Sequence, residues 1–146
     1  MTVQLTTIED DEAGRAMVQV TDATVRRDPV YDGHRDAAVR DLLDLLEANR
    51  QLRDTLAENA VHYEASILAM LDGVDPRRVI DGVDVARCRL SLAESLAEFE
   101  RARHKARGTF IVAQFDDGMN MKEISRRWGI SRQLAHRFFK ESHRDG

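Results

Sequence analysis

Cysteine occurs once, at Cys88, proline twice and glycine eight times in 146 residues, and aromatic side chains make up 5% of the chain. A single thiol excludes an intrachain disulfide and any multi-cysteine metal centre, and it agrees with a reducing compartment. Cys88 falls between Val85 and Leu92 in a helical pattern, where a buried inert thiol is expected. Scarce proline and glycine remove the usual interruptions of helices, so 42% hydrophobic and 33% charged residues read as a soluble, largely helical protein. Long apolar runs are missing too. Stretches such as FIVA at 110–113 fall far short of the ~18 residues of a membrane span. The opening MTVQLTTIEDDEAG is acidic where a signal peptide would be basic and then apolar, so a cytoplasmic protein without a membrane partner is expected.

Lysine stands only at positions 105, 122 and 140, and arginine supplies the remaining positive charge. The net charge of -4 hides a division along the chain: 11 Lys and Arg against 5 Asp and Glu from Arg101 onwards, and 11 against 21 before it. Salt confines the reach of such charges to about 10 Å, so the two parts act as separate electrostatic surfaces. The acidic part disfavours contact with nucleic acid, whereas the basic part favours it.

Residues 1–34 show no sustained period, contain EDDEAG and end in the turn-rich RRDPVYDGH, which reads as a flexible acidic arm. MVQV and TDATV within it have the composition of a strand pair, but an isolated hairpin is marginal in water. From Asp36 to Met70 apolar residues recur at helical spacing without Pro or Gly, which predicts one long helix. Leu42, Leu45, Asn49, Leu52 and Leu56 follow the 3,4 spacing of a heptad seam, and Asn at such a position pairs across parallel coiled coils; the alternative is that Asn49 simply faces water. The segment DGVDPRRVIDGVD, 72–84, carries stop and cap residues and reads as an interhelical connection; it lacks the ligand array of a calcium loop. After Asp84, a candidate N-cap, Val85, Leu92, Leu96, Phe99 and Ala106 mark a second long helix, with Gly108 expected to break or kink it. Residues 35–107 therefore read as a long-helix dimerisation region, whose helices pair either within one chain or between two.

The last 39 residues, 108–146, carry the densest signal. Gly118 is expected to end one helix, Asn120 with Glu123 to form a capping box, and MKEISRRW to make a short helix that buries Met121, Ile124 and Trp128. Gly129 then stops it, Ile130 inserts beneath the turn, and Ser131 caps a final helix with Leu134, Ala135, Phe138 and Phe139 on its inner face. Ser125 is small where two such helices would cross. Two short helices joined by a tight glycine turn, with polar residues outward on the second, define a helix-turn-helix.

ISRRWGISRQLAHRFF in this setting resembles the bacterial helix-turn-helix DNA-binding families of resolvase and sigma region 4 type, and small actinobacterial regulators in particular. The resemblance covers residues 104–142 and departs from the family at Ala135, where a branched residue is usual. It implies that the final helix lies in a major groove with Arg132, Gln133, His136, Arg137 and Lys140 towards DNA. Ser131 would meet a phosphate, and Lys122, Arg126 and Arg127 would contact the backbone. Arg forks onto guanine and Gln onto adenine, a geometry that charge neutralisation alone does not need. His136 has a second reading, as a neutral ring resting against the groove wall or a neighbouring helix.

A single unit of this kind reads few base pairs, so a homodimer on double-stranded DNA is expected. The function read from the sequence is that of a sequence-specific transcriptional regulator of all-α fold, with a long helical hairpin or coiled coil ahead of a carboxyl-terminal helix-turn-helix. Its alternative is a helical adaptor that engages a protein such as RNA polymerase and touches DNA non-specifically. An enzyme is not expected: His62, Tyr63 and Glu64 are consecutive and cannot converge on one helix face, and there is no phosphate-cradling glycine loop. No cofactor or metal is called for.

Overall fold

A computed structural model of the chain describes residues 33–144 and, ahead of them, the backbone of two short strands. β1 (Thr6–Thr7) pairs antiparallel with β2 (Val18–Gln19), with Thr6 opposite Gln19 and Thr7 opposite Val18. The remainder of the expected acidic arm, including TDATV, lies outside the described residues. The arm and the body from His34 onwards are separate compact units.

The body is helical throughout. α1 (His34–Leu71) occupies the stretch in which no Pro or Gly occurs, and Gly73, at φ 83°, turns the chain just beyond it. The connection is not plain loop: α2 (Pro76–Asp81) forms within it, because Pro76 suits a first helical turn and the Asp75 carboxylate accepts the Arg77 N–H at 2.8 Å. Asp84 then caps α3 (Val85–Asp116), accepting from the Arg87 N–H at 2.9 Å. α3 runs unbroken through Gly108, which corrects the expected break there. The boundary drawn at 107/108 therefore falls inside a helix of one compact unit.

α1 and α3 fold back on each other within the chain as an antiparallel hairpin. His34 hydrogen bonds Asp116, Lys105 Nζ meets Asp41 at 2.9 Å, and Thr55 Oγ1 meets Ser95 Oγ at 2.9 Å, so the residue numbers run in opposite directions along the pair. The buried positions of the hairpin are small or polar: Ala38, Asp41, Ala48 and Asn59 on α1, Ala102 and Ala106 on α3. Small side chains at the fully buried positions let two helices pack closely. The expected heptad seam is consequently divided. Leu45 and Leu52 are half-buried, in register with the closed seam, whereas Leu42, Asn49 and Leu56 stay exposed. Cys88 is half-buried rather than buried.

Asp41 is 3% exposed and its cationic partner Lys105 comes from the water side, so this carboxylate is held in the seam by one charge. Removing the cation alone leaves a desolvated anion; removing both leaves an apolar seam. Lys105→Met is therefore expected to cost about 1–3 kcal/mol in urea denaturation, and Asp41→Leu combined with Lys105→Met to recover most of that loss.

Candidate nucleic-acid interface

The chain turns out of α3 at Gly118, whose φ of 96° few other residues adopt. Asn120 opens α4 (Met121–Trp128) with a complete capping box. The Glu123 N–H donates to Asn120 Oδ1 at 3.0 Å, and the Asn120 N–H donates to Glu123 Oε2 at 3.1 Å. Gly129, left-handed at φ 63°, ends it, and the Ile130 N–H donates back to the Ser125 carbonyl at 3.0 Å. Ser131 Oγ accepts the Leu134 N–H at 3.1 Å and so caps α5 (Arg132–Arg144). The turn between α4 and α5 thus has its polar groups satisfied by local partners.

Beneath it, Ile111 of α3, Ile124 of α4 and Ala135 and Phe138 of α5 form one buried cluster. Met121, Trp128, Ile130, Leu134 and Phe139 pack around it. Ala135 and Ile124 are both 0% exposed and belong to the same buried cluster, so the small alanine sits where α4 and α5 pack together. Ser125 is also buried, with its hydroxyl donated to the Lys122 carbonyl at 3.1 Å, which removes a polar cost at the crossing. Trp128 is half-buried and its indole N–H donates to Gln114 Oε1 at 2.8 Å, tying α4 to α3. Gly108 lets α5 approach α3: a Cβ there would meet Ser142 Oγ at 2.1 Å.

The outer surface of this unit is the basic one. Ser131, Arg132, Gln133, His136, Arg137 and Lys140 are all exposed, as are Lys122, Arg126 and Arg127 on α4. Positions 132, 133, 136, 137 and 140 lie on a single edge of α5 because they recur at helical spacing between the buried Ala135 and Phe138. His136 is on the open edge and not packed against a neighbouring helix. One carboxylate borders that edge: Glu141 lies 4.0 Å from Arg137 Nε and accepts from His104 Nε2 at 3.0 Å, which draws it towards α3.

Several supporting residues carry no sequence signal of their own. Arg107 lies over the rings of Phe138, at 5.2 Å, and Trp128, at 5.9 Å, with its Nε buried and unpartnered. Gln114 and His104 hold α4 and α5 through side-chain contacts that join residues 14 and 37 positions apart. Gly108 did leave a trace, since a glycine inside a helical pattern points to a close approach. Away from this unit, hydrogen bonding to Glu98 pushes the Arg101 guanidinium above its ordinary value, so it stays charged. Among the described residues no group of three or more His, Cys, Asp or Glu is placed to hold a metal ion, and no helix is long and apolar enough to cross a membrane.

Comparison with family models, with curated proteins and with solved structures returned no match. The reading of the basic edge therefore rests on its own chemistry and geometry.

Because the packed face and the charged edge of α5 are separate, their substitutions should separate too. Ile124→Ala is expected to lose about 2–5 kcal/mol of unfolding free energy in denaturant titration, whereas Arg132→Ala and Arg137→Ala should each stay within about 0.5 kcal/mol of the parent.

Proposed function

We propose that this chain is a sequence-specific DNA-binding regulator without catalytic activity, in which α4 and α5 act as a helix-turn-helix and α5 enters the major groove. The observation that carries the reading is the exposed edge formed by Arg132, Gln133, His136 and Arg137 on the amino-terminal half of α5, backed directly by the buried Ala135 and Phe138. An α-helix fits the major groove of B-DNA, and side chains near its amino end then face the bases. Arg132 and Arg137 have the forked donors that guanine accepts, and Gln133 the paired donor and acceptor that adenine requires. Ser131 and the α5 amino terminus favour a phosphate, and Lys122, Arg126 and Arg127 offer three further cations to the backbone.

A single unit of this size contacts a short site, so the active form in this reading is a homodimer on two half-sites. The acidic hairpin adds no attraction for the duplex. It keeps non-specific adhesion to the basic unit alone, which favours discrimination over bulk binding.

Selection of binding sites from random duplexes by the purified chain should return one motif, repeated as two half-sites about one helical turn apart. On that site Arg132→Ala and Arg137→Ala should each weaken binding by about 1–3 kcal/mol and relax preference at particular bases. Lys122→Ala, by contrast, should weaken all sequences alike and flatten the salt dependence. Failure to enrich any motif, with equal affinity for every duplex at fixed salt, would falsify sequence reading and leave the adaptor alternative.

A further inference from the structure

The two long edges of the α1–α3 hairpin differ in chemistry. Along one, a groove of about 210 Å³ is lined by Asp41, Asp44, Glu47 and Gln51 of α1 with Glu98 and Arg101 of α3. Along the other, α1 presents Leu42, Asn49, Leu56, Tyr63 and Met70, spaced seven apart, with the four large ones 41%, 50%, 63% and 46% exposed. On α3 the matching stripe is Val85, Leu92, Leu96 and Phe99, of which Val85 and Leu96 are 51% and 45% exposed. Tyr63, Val85 and Leu92 line one cavity, which places both stripes on the same edge. Isolated exposed apolar residues are ordinary, but a regular apolar ridge along two paired helices is not.

We propose that this edge is where a second copy of the chain docks, so that two hairpins form a four-helix bundle. The inference deepens the dimer half of the proposed function by naming its surface, and it stands independently of any contact with DNA. Three observations select a copy of this chain as the occupant. First, the ridge is long: its α1 positions 42–70 span about 42 Å, its α3 positions 85–99 about 21 Å, and each helix is about 10 Å wide. That face offers on the order of 600 Å² per partner, the lower end of the range for a stable interface. Second, its heptad spacing fits another helical ridge of the same repeat, and this chain carries one; a self-complementary patch then closes as a two-fold dimer. Third, the five α1 positions carry no charge, and of the two arginines one heptad either side of Leu96, Arg103 is already paired with Glu100 at 2.8 Å while Arg89 stands exposed at the rim of the ridge, where it stays solvated on docking.

The same geometry corrects the simpler picture of a two-stranded coiled coil built by α1 alone. Such a coil needs both layers of the seam free. Leu45 and Leu52 already lie in register with the intrachain contact, so α1 brings only Leu42, Asn49 and Leu56, and α3 must supply the other half through Leu96 and Phe99.

Sedimentation equilibrium of the full chain without DNA tests this. The parent should sediment at twice its 16.6 kDa chain mass. Leu56→Asp and Leu96→Asp should each raise the dissociation constant by about 100-fold or more, with helical circular dichroism retained because both sites are exposed in the single chain. Leu68→Asp, at a 62% exposed position on the side of α1 turned away from this edge, should dimerise as the parent does. A parent that stays at the single-chain mass up to about 100 μM would overturn the proposal, as would a Leu96→Asp variant that dimerises normally. Equal dissociation by Leu68→Asp would do the same. Duplex titration on the same samples keeps the two readings apart: an intact dimer that binds no duplex counts against DNA recognition alone, and a monomer that binds a half-site counts against this interface alone.

Discussion

The buried cluster of Ile111, Ile124, Ala135 and Phe138 is the constraint on which the carboxyl-terminal unit of the molecule depends. α4 has 8 residues and α5 has 13, too few for either to persist as an isolated helix in water. Their order comes from caps at the ends and from this cluster in the middle. With the cluster closed, the orientation of every basic side chain on α5 follows from helix geometry. A branched residue at 135 would enforce a wider crossing, so the small side chain there sets how closely α4 and α5 approach.

α3 is the shared beam of the fold. One side of it receives α1 through alanines and polar residues, and the end beyond Gly108 receives α4 and α5 through Ile111. The ion pairs at the open end of the hairpin, Arg35 with Asp117 and His34 with Asp116, are exposed and contribute little on their own. Burial along the seam does more, and it has a consequence for association. In this hairpin the fully buried positions are small or polar, and Leu42, Leu56 and Leu96 are left exposed. The surface available to a partner is thus a by-product of how the single chain packs.

Charge follows the same division. The groove along the hairpin is rich in carboxylates, while the exposed face of the last two helices carries arginine and lysine. Because screening limits each surface to its own neighbourhood, a whole-chain balance of -4 does not oppose local attraction to a polyanion. Glu141 is the carboxylate nearest the basic edge, and its bond to His104 holds it at the far end of α5 from Arg132.

The helical class, both long helices and nearly every feature of the last two are written in the residues themselves: the Asn120–Glu123 box, the Gly118 and Gly129 stops, the Ser131 cap and the exposed basic edge. These are local properties, set by spacings of three or four residues and by the conformations that glycine alone adopts readily, so they can be read from the chain directly. That α3 continues through Gly108 was not legible there, because what the glycine serves is the close approach of Ser142, a residue 34 positions away. Nor was it legible that α1 pairs with α3 inside one chain, or that Leu45 and Leu52 part company with Leu42 and Leu56. A heptad pattern records which residues share a stripe, but the choice between two neighbouring stripes is made by tertiary packing, which here buries Ala38, Ala48, Ala102 and Ala106.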